Sequence, residues 1–274
     1  MSIEQIVVLA VVQGLTEFLP ISSSGHLILI PAFTGWPDQG VFTDVMVHLG
    51  SLAAILVYFW RDVFALIGGA RDAVLGRWTP SAKMAVYIVL ATIPALAFGL
   101  FLKLTGLLDQ IRGHGVEIIA WNAVIYGILM YLADRFGPRL KVMMDMKFGQ
   151  AMIIGFAQAL ALIPGTSRSG ITMTAARALG FQRAEAARFS FLLGIPAIAA
   201  AGSLTLLEAL ETGEAIPDGA FTAAALTFIS AILAIAFLMA LVKRISFLPF
   251  VLYRLALAAA LFAFMYGWLP GVQQ

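Results

Sequence analysis

Two clusters of polar residues interrupt apolar stretches of the chain, and both carry side chains suited to phosphate chemistry. The first cluster follows Glu17, and its members are Ser22, Ser23, Ser24, Gly25 and His26. The second cluster consists of Pro164, Gly165, Thr166, Ser167, Arg168, Ser169, Gly170 and Thr172. A turn that opens a helix offers unpaired backbone N–H groups, to which hydroxyls and a guanidinium add further donors. The second cluster therefore predicts a cradle for phosphate.

Three ionisable residues in these clusters are difficult to explain by packing: Glu17, His26 and Arg168. A charged side chain at the centre of a bilayer costs about 2.5–3.5 kcal/mol on insertion scales, so we interpret all three as functional candidates. A buried ion pair between Glu17 and Arg168 is the structural alternative. His48 and Arg254 also lie in apolar segments, but neither has a motif partner, which favours helix packing or snorkelling for both.

The composition is typical of an integral membrane protein. Hydrophobic residues make up 61% of the 274 residues and charged residues 12%, against about 45–50% and about 25% in soluble domains. The formal net charge of +2 excludes an electrostatic footprint for nucleic acid. Because the chain has no cysteine, disulfides and thiolate chemistry are excluded as well.

Six apolar runs approach the roughly 20 residues that a helix needs to cross a bilayer. They lie near residues 42–60, 85–104, 117–133, 189–207, 220–242 and 250–269. Two further apolar stretches, 3–33 and 150–180, are broken near the middle by the polar clusters, and each is interpreted as two half-helices. Irregular backbone at membrane depth survives only in protein or beside a water-filled cavity, so the breaks predict a cavity.

The distribution of charge predicts the orientation in the membrane. Basic residues collect in segments 61–84 and 134–149 and at Lys243 and Arg244, which we expect to be cytoplasmic. Segment 208–219 carries only acidic charges and is expected to face outward. Six membrane crossings agree with these assignments only if each broken stretch enters and leaves the membrane on the same side. Both termini are then outside, and both broken stretches are re-entrant.

The same order of elements occurs twice in opposite orientation. Residues 1–133 form the first repeat, 134–149 a cytoplasmic linker and 150–274 the second repeat, within one integral membrane domain, 1–274. The sequence thus predicts an all-α polytopic membrane protein with six spanning helices and two re-entrant helical hairpins in an inverted-topology repeat. In such repeats the two breaks meet near the midplane.

A family resemblance rests on two segments, QGLTEFLPISSSGH (13–26) and PGTSRSGIT (164–172). They closely resemble the two signature motifs of the bacterial undecaprenyl pyrophosphate phosphatases, the bacitracin-resistance family. The resemblance implies an enzyme of the bacterial inner membrane that removes one phosphate from undecaprenyl pyrophosphate and so supplies the lipid carrier for cell-wall synthesis. It also implies dependence on a divalent cation, Mg²⁺ or Ca²⁺.

Hydrolysis of a diphosphate requires neutralised phosphoryl oxygens, a positioned nucleophile and help for the leaving group, and the two clusters offer candidates for each. We expect Arg168 to clamp the phosphates and Glu17 to bind the cation, activate the nucleophile, or both. Ser23 assisted by His26 is the favoured nucleophile; direct attack by His26, or by water activated through Glu17, stays open. Gln13 is expected to orient substrate or water. The residues expected to bind substrate are Gln13, Ser22, Ser24, Gly165, Thr166, Ser167, Ser169 and Thr172.

Two other functions share features of this sequence. A type 2 phosphatidic acid phosphatase requires a histidine six residues after the arginine and an acid four residues later, whereas Thr174 and Ala178 occupy those positions and exclude it. A secondary transporter or lipid flippase has the same inverted repeat and is the alternative. The expected partners are a polyprenyl diphosphate and membrane lipids, with a homodimer left open. The active site is expected to open to the periplasmic side.

Overall fold

The chain folds into α-helices throughout the part that the structure describes. The computed structural model describes residues 1–37, 39–107, 110–111, 114–211 and 217–268. Within them lie helices α1 (Ile3–Thr16), α2 (Ser23–Thr34), α3 (Val41–Tyr58), α4 (Trp60–Val74), α5 (Pro80–Leu104), α6 (Gly115–Phe136), α7 (Phe148–Ala159), α8 (Arg168–Ala178), α9 (Arg183–Glu211), α10 (Ala220–Leu241) and α11 (Leu248–Met265). Two 3-10 turns, Met143–Asp145 and Leu160–Leu162, complete the regular structure, and these residues contain no β-strand.

Six of these helices are long and apolar enough to cross a membrane, and the chain is a multi-pass membrane protein. The spans are Val41–Tyr58, Pro80–Leu104, Gly115–Phe136, Arg183–Leu207, Ala220–Leu241 and Leu248–Met265. They confirm the six predicted spans, although the predicted end of the last one, residue 269, lies outside the described residues. Pro94 and Pro196 lie inside two of these helices without ending them.

The two interrupted stretches each form two short helices. In the first, α1 and α2 are separated by residues 17–22, and in the second a 3-10 turn and residues 163–167 separate α7 from α8. The longest of the four, α1, has 14 residues and is therefore about 21 Å long, against a hydrocarbon core of about 30 Å. None of the four can span a bilayer alone. Both predicted breaks are therefore present in the structure.

Segment 61–84 differs from the sequence expectation of a loop, because most of it belongs to helix α4, Trp60–Val74. This helix packs on α5 at Gly69, where an added Cβ would lie 2.3 Å from a carbonyl oxygen of α5. Arg61 and Arg71 suggested a loop, but both are exposed on the outer face of an amphipathic helix. A basic composition therefore did not distinguish a loop from a surface helix.

Close helix packing holds the interrupted stretches inside the molecule. Helix α1 lies so near α10 that a Cβ on Gly14 would be 1.9 Å from Ser230 Oγ, and α7 lies so near α5 that a Cβ on Gly155 would be 2.3 Å from a backbone oxygen. Helix α3 packs on α9 and α10, and α6 packs on α11. The rings of Phe18 and Phe191 meet edge to face in the largest apolar core, with centroids 5.4 Å apart. This core holds the first break against helix α9.

Candidate active site

Two serines with the same unusual backbone begin the second helix of each interrupted stretch. Ser22 has φ 79° and Ser167 has φ 73°, and they are the only residues other than glycine with positive φ in the described part of the chain. Each hydroxyl accepts a hydrogen bond from the backbone N–H three residues later, at Gly25 (3.4 Å) and Gly170 (3.1 Å). Such a backbone conformation costs of order 1–3 kcal/mol and persists at functional sites. Two helix N-termini are thus capped in the same way.

The two breaks lie directly against each other. Ser169 Oγ donates to the backbone oxygen of Leu19 across 3.2 Å, and a Cβ on Gly25 would lie 3.7 Å from the Cα of Gly165. Gly165 has φ +84°, and a Cβ there would be 2.7 Å from the Cα of Ile119 on α6. Only glycine fits this position without moving backbone. The structure therefore brings the two predicted clusters together.

Glu17 is the centre of the hydrogen-bond network between the breaks. Its side chain is only 6% exposed. Oε2 accepts hydrogen bonds from Ser23 Oγ at 2.7 Å and from Gln13 Nε2 at 3.1 Å. Oε1 accepts from Arg168 Nη2 at 3.1 Å and forms an ion pair with it. An acid from the first break, a hydroxyl from the following helix and a guanidinium from the second break thus form one cluster.

The guanidinium of Arg168 is held by helix α9. Its Nη1 donates to the backbone oxygen of Ser190 at 3.0 Å. It lies over Gly194, where an added Cβ would be 2.2 Å from Nη1. The hydroxyl of Thr172 pairs with Ser190 Oγ at 2.7 Å and donates to the backbone oxygen of Arg168. Thr172 therefore supports Arg168 in this structure. Ser190 and Gly194 lie outside both motifs, and the sequence carried no signal for them.

Three buried polar atoms around this cluster have no hydrogen-bond partner among the described residues. They are Gln13 Oε1, Thr166 Oγ1 and Arg168 Nε. A buried polar group without a partner costs about 1–3 kcal/mol, so native proteins rarely leave several together. The hydroxyl and the N–H can donate to phosphate oxygens, whereas the amide oxygen of Gln13 can accept from water or bind a cation. Among the described residues, Gln13 and Arg168 also bond directly to Glu17.

His26 lies one turn into α2, and its two ring nitrogens point away from Ser23. Nδ1 is 2.7 Å from the backbone oxygen of Ser22, and Nε2 is 2.6 Å from the hydroxyl of Tyr253 on α11. The hydroxyl of Ser23 bonds to Glu17 instead. The favoured pairing of His26 with Ser23 is therefore not formed in this structure, whereas Glu17 lies in place to accept the serine proton.

The other predicted substrate-binding residues line the same turns. Ser22 Oγ lies 3.4 Å from Ser24 Oγ, and Ser167 Oγ lies 3.3 Å from Ser169 Oγ, so each capping serine is paired with the serine two residues later. Ser24 is exposed, whereas Ser167 and Ser169 are buried.

His48 and Arg254 contact the site, contrary to the expectation that they only pack or snorkel. His48 Nε2 lies 3.9 Å from Glu17 Oε2, and Nδ1 lies 2.6 Å from the backbone oxygen of Asp44. Arg254 is 1% exposed and donates to carbonyl oxygens of both breaks, Gly165 at 2.8 Å and Pro20 at 3.4 Å. Contacts of this kind join helices that are far apart in the sequence, so no sequence motif predicts them.

A divalent cation fits the oxygen donors of the site. Among the described residues no group of three or more His, Asp or Glu side chains could hold a metal ion. Mg²⁺, however, is usually held by one or two carboxylates together with substrate phosphates and water. The carboxylate of Glu17 and the unpaired Oε1 of Gln13 are hard oxygen donors of that type.

Comparisons with known proteins agree on one family. The family model described as "Bacitracin resistance protein BacA" matches residues 6–260. A protein named undecaprenyl-diphosphatase from Erythrobacter litoralis is 51% identical over 286 residues, covering 96% of this chain and 100% of the relative. Proteins of the same name from Ruegeria pomeroyi (47% identical) and Jannaschia sp. (48% identical) each align over 97% of this chain and 100% of their own length.

Proposed function

The chain belongs to the bacitracin resistance protein BacA family, and we propose that it hydrolyses undecaprenyl diphosphate to undecaprenyl phosphate and inorganic phosphate at the cluster around Glu17 and Arg168. The family match confirms the resemblance of the two motifs. The reported relatives are named as diphosphatases, so the transporter or flippase alternative is not supported.

One observation carries the assignment of the site: Glu17 from the first break and Arg168 from the second form a buried ion pair at 3.1 Å. Arg168 Nε belongs to this pair, and Nε, Gln13 Oε1 and Thr166 Oγ1 all have no hydrogen-bond partner among the described residues. A buried pair that serves only for stability would be surrounded by satisfied groups. Donors such as the Thr166 hydroxyl and Arg168 Nε are instead expected where an anionic ligand binds, and preorganised donors stabilise charge that develops in a transition state.

Glu17 is positioned to activate Ser23 as the nucleophile. In the first step Ser23 Oγ attacks the terminal phosphorus and its proton passes to Glu17 Oε2 at 2.7 Å. The bond from Oγ to phosphorus forms as the bridging P–O bond breaks, and undecaprenyl phosphate leaves. Water then attacks the phosphoserine and loses a proton to His26, while the P–Oγ bond breaks and Glu17 returns its proton to Ser23 Oγ, which releases inorganic phosphate. Arg168 stabilises the phosphoryl oxygens in both steps.

The divalent cation has a supporting role in this proposal. Glu17 and Gln13 would hold it together with the oxygens of the diphosphate. When bound, the cation neutralises charge on the phosphoryl oxygens. Removal of the cation with a chelator should therefore lower turnover without unfolding the protein.

The re-entrant hairpins and the inverted repeat are part of the proposal. The short helices α1, α2, α7 and α8 are consistent with hairpins that enter and leave the membrane on one side. The like-capped turns at Ser22 and Ser167 support a two-fold relation between the repeats. The helix contacts support the same relation. Helix α1 of the first repeat packs on α10 of the second, and α7 of the second repeat packs on α5 of the first. Helices α5 and α10 occupy corresponding positions in the two repeats.

We place the opening of the site on the periplasmic side, because the basic segments predict that both termini lie outside. The chain has no cysteine, so one introduced thiol is the only target for a reagent. In right-side-out membrane vesicles a membrane-impermeant thiol reagent should label Ser2→Cys but label Gly149→Cys, in the basic linker, only after lysis. Both positions are exposed in the structure. The opposite pattern would reverse the orientation.

Phosphate release by the purified protein in detergent tests the function directly. With a polyprenyl diphosphate as substrate, wild type should release inorganic phosphate, a chelator should stop the release, and added Mg²⁺ should restore it. A protein that only transports lipid would release none, and that result would refute the diphosphatase assignment. A homodimer stays a prediction.

A further inference from the structure

A tyrosine outside both motifs contacts the site through His26. Tyr253 is on the last helix, α11, and its hydroxyl lies 2.6 Å from His26 Nε2. The two rings are also stacked, with centroids 5.8 Å apart and planes 18° apart. The next residue along the chain, Arg254, binds the carbonyl oxygens of both breaks. Tyr253 is therefore on a stretch of α11 that is fixed against the site.

The contacts of the imidazole determine which ring nitrogen carries the proton. Nδ1 lies 2.7 Å from the backbone oxygen of Ser22, and a carbonyl oxygen can only accept, so Nδ1 carries hydrogen. In the neutral ring Nε2 is then the basic nitrogen, and the hydroxyl of Tyr253 donates to it. When the ring gains a proton, Nε2 donates, and the same hydroxyl can rotate and accept. Tyr253 thus satisfies Nε2 in both protonation states.

We infer that Tyr253 links His26 to the attacking water in the hydrolytic half of the reaction: its hydroxyl passes its own proton to Nε2 as it takes a proton from the water, and it holds the imidazole in the orientation that this transfer needs. This inference rests on the proposed function, in which His26 takes a proton from water. A base that is free to rotate would spend much of its time in unproductive orientations, and precise placement is a large part of catalysis. Tyr253 therefore contacts His26 and the water, and it needs no contact with the lipid.

Tyr253→Phe removes one oxygen and leaves the ring in place. We expect kcat to fall by about tenfold with KM changed by less than about twofold, because substrate binding is not affected. Tyr131→Phe is the matched control, since Tyr131 is on spanning helix α6 and is 42% exposed, against 43% for Tyr253. Tyr131→Phe should retain wild-type turnover.

A double-mutant cycle distinguishes positioning from a general effect on the fold. In a His26→Gln background the same tyrosine replacement should lower kcat by less than about twofold, because its target is gone. Additive losses in the cycle, or wild-type kcat in Tyr253→Phe, would overturn the inference.

Nitrogen NMR gives a readout that does not depend on turnover. The chain has three histidines, so ¹⁵N-labelled His26 can be assigned by comparison with His48→Gln and His114→Gln. Wild type should show a single neutral tautomer with hydrogen on Nδ1, and Tyr253→Phe should show a second ring state. An unchanged His26 spectrum in that variant would overturn the inference. Failure of wild type to release phosphate would instead refute the proposed function, so the two failures are distinguishable.

Discussion

The Glu17→Gln variant should release phosphate about a thousandfold more slowly than wild type. The replacement keeps the shape of the side chain but removes its negative charge. An amide cannot take the proton of Ser23, which now donates to Glu17 Oε2 at 2.7 Å. It is also a weaker ligand for a hard cation. Turnover and its dependence on Mg²⁺, measured with and without chelator, should therefore fall together.

The control for this variant is Glu4→Gln, an exposed acid on the same helix that should retain full turnover. Loss of the acid leaves the Arg168 guanidinium without its partner, so thermal unfolding in detergent must show that the variant is folded. Ser23→Ala should lose turnover to a similar extent in a folded protein. Near-normal turnover with normal Mg²⁺ dependence in Glu17→Gln would make Glu17 a structural residue.

Replacing Arg168 with alanine should cost about 2.7–4 kcal/mol of transition-state stabilisation, the usual effect of removing one preorganised donor. Among the described residues Nε of the guanidinium has no hydrogen-bond partner, while Ser190 and Glu17 fix the orientation of the group. The loss should appear in kcat/KM for phosphate release. Arg135→Ala removes an exposed arginine on α6 and should have no effect.

Gly194→Ala tests the position of the guanidinium without removing it. The new methyl would lie 2.2 Å from Arg168 Nη1, so the flexible arginine must move while the backbone can stay in place. We expect lower kcat with little loss of thermal stability. Arg168→Lys should rescue only part of the activity, since an ammonium cannot reproduce the planar fork of donors. Wild-type turnover in Gly194→Ala and in Arg168→Ala would remove the clamp from the mechanism.

A double variant separates catalysis from simple ion pairing. If Glu17 and Arg168 were present only to neutralise each other, replacing both by glutamine would leave no unpaired charge and would restore much of the lost activity. The proposed mechanism needs both groups, so Glu17→Gln with Arg168→Gln should stay as inactive as the worse single variant. Recovered turnover in the double variant would favour the structural interpretation.

The membrane helices and the breaks could be predicted from the sequence because their signals are local. A run of about 20 apolar residues predicts a span by its length alone. The Pro, Ser and Gly residues near Pro20 and Pro164 predict chain breaks within a few residues of those observed. Helix α4 was missed because Arg61 and Arg71 indicate a polar segment, and an amphipathic helix with one exposed face can have the same composition as a basic loop.

The contacts across the site could not be predicted, because they depend on how whole helices are rotated and paired. His48, Tyr253 and Arg254 belong to spans that are apolar on most sides, and no local pattern distinguishes a site-facing polar residue from one that packs elsewhere. The hydrogen-bond partner of Ser23 could not be predicted for the same reason. The i,i+3 spacing favoured His26, whereas the fold places the nearer acceptor, Glu17, six residues away along the chain.

The ion pair between Glu17 and Arg168 joins residues 151 positions apart, which has a consequence for biosynthesis. Synthesis runs from the N-terminus, so the acid leaves the ribosome well before its counter-charge exists. Until the later half is inserted, the early half holds a carboxylate that has Gln13, Ser23 and His48 nearby but lacks the guanidinium. Nascent chains that stall after Glu17 is inserted and before Arg168 is made would expose an unneutralised acid to the membrane interior. Quality-control proteases could recognise this feature.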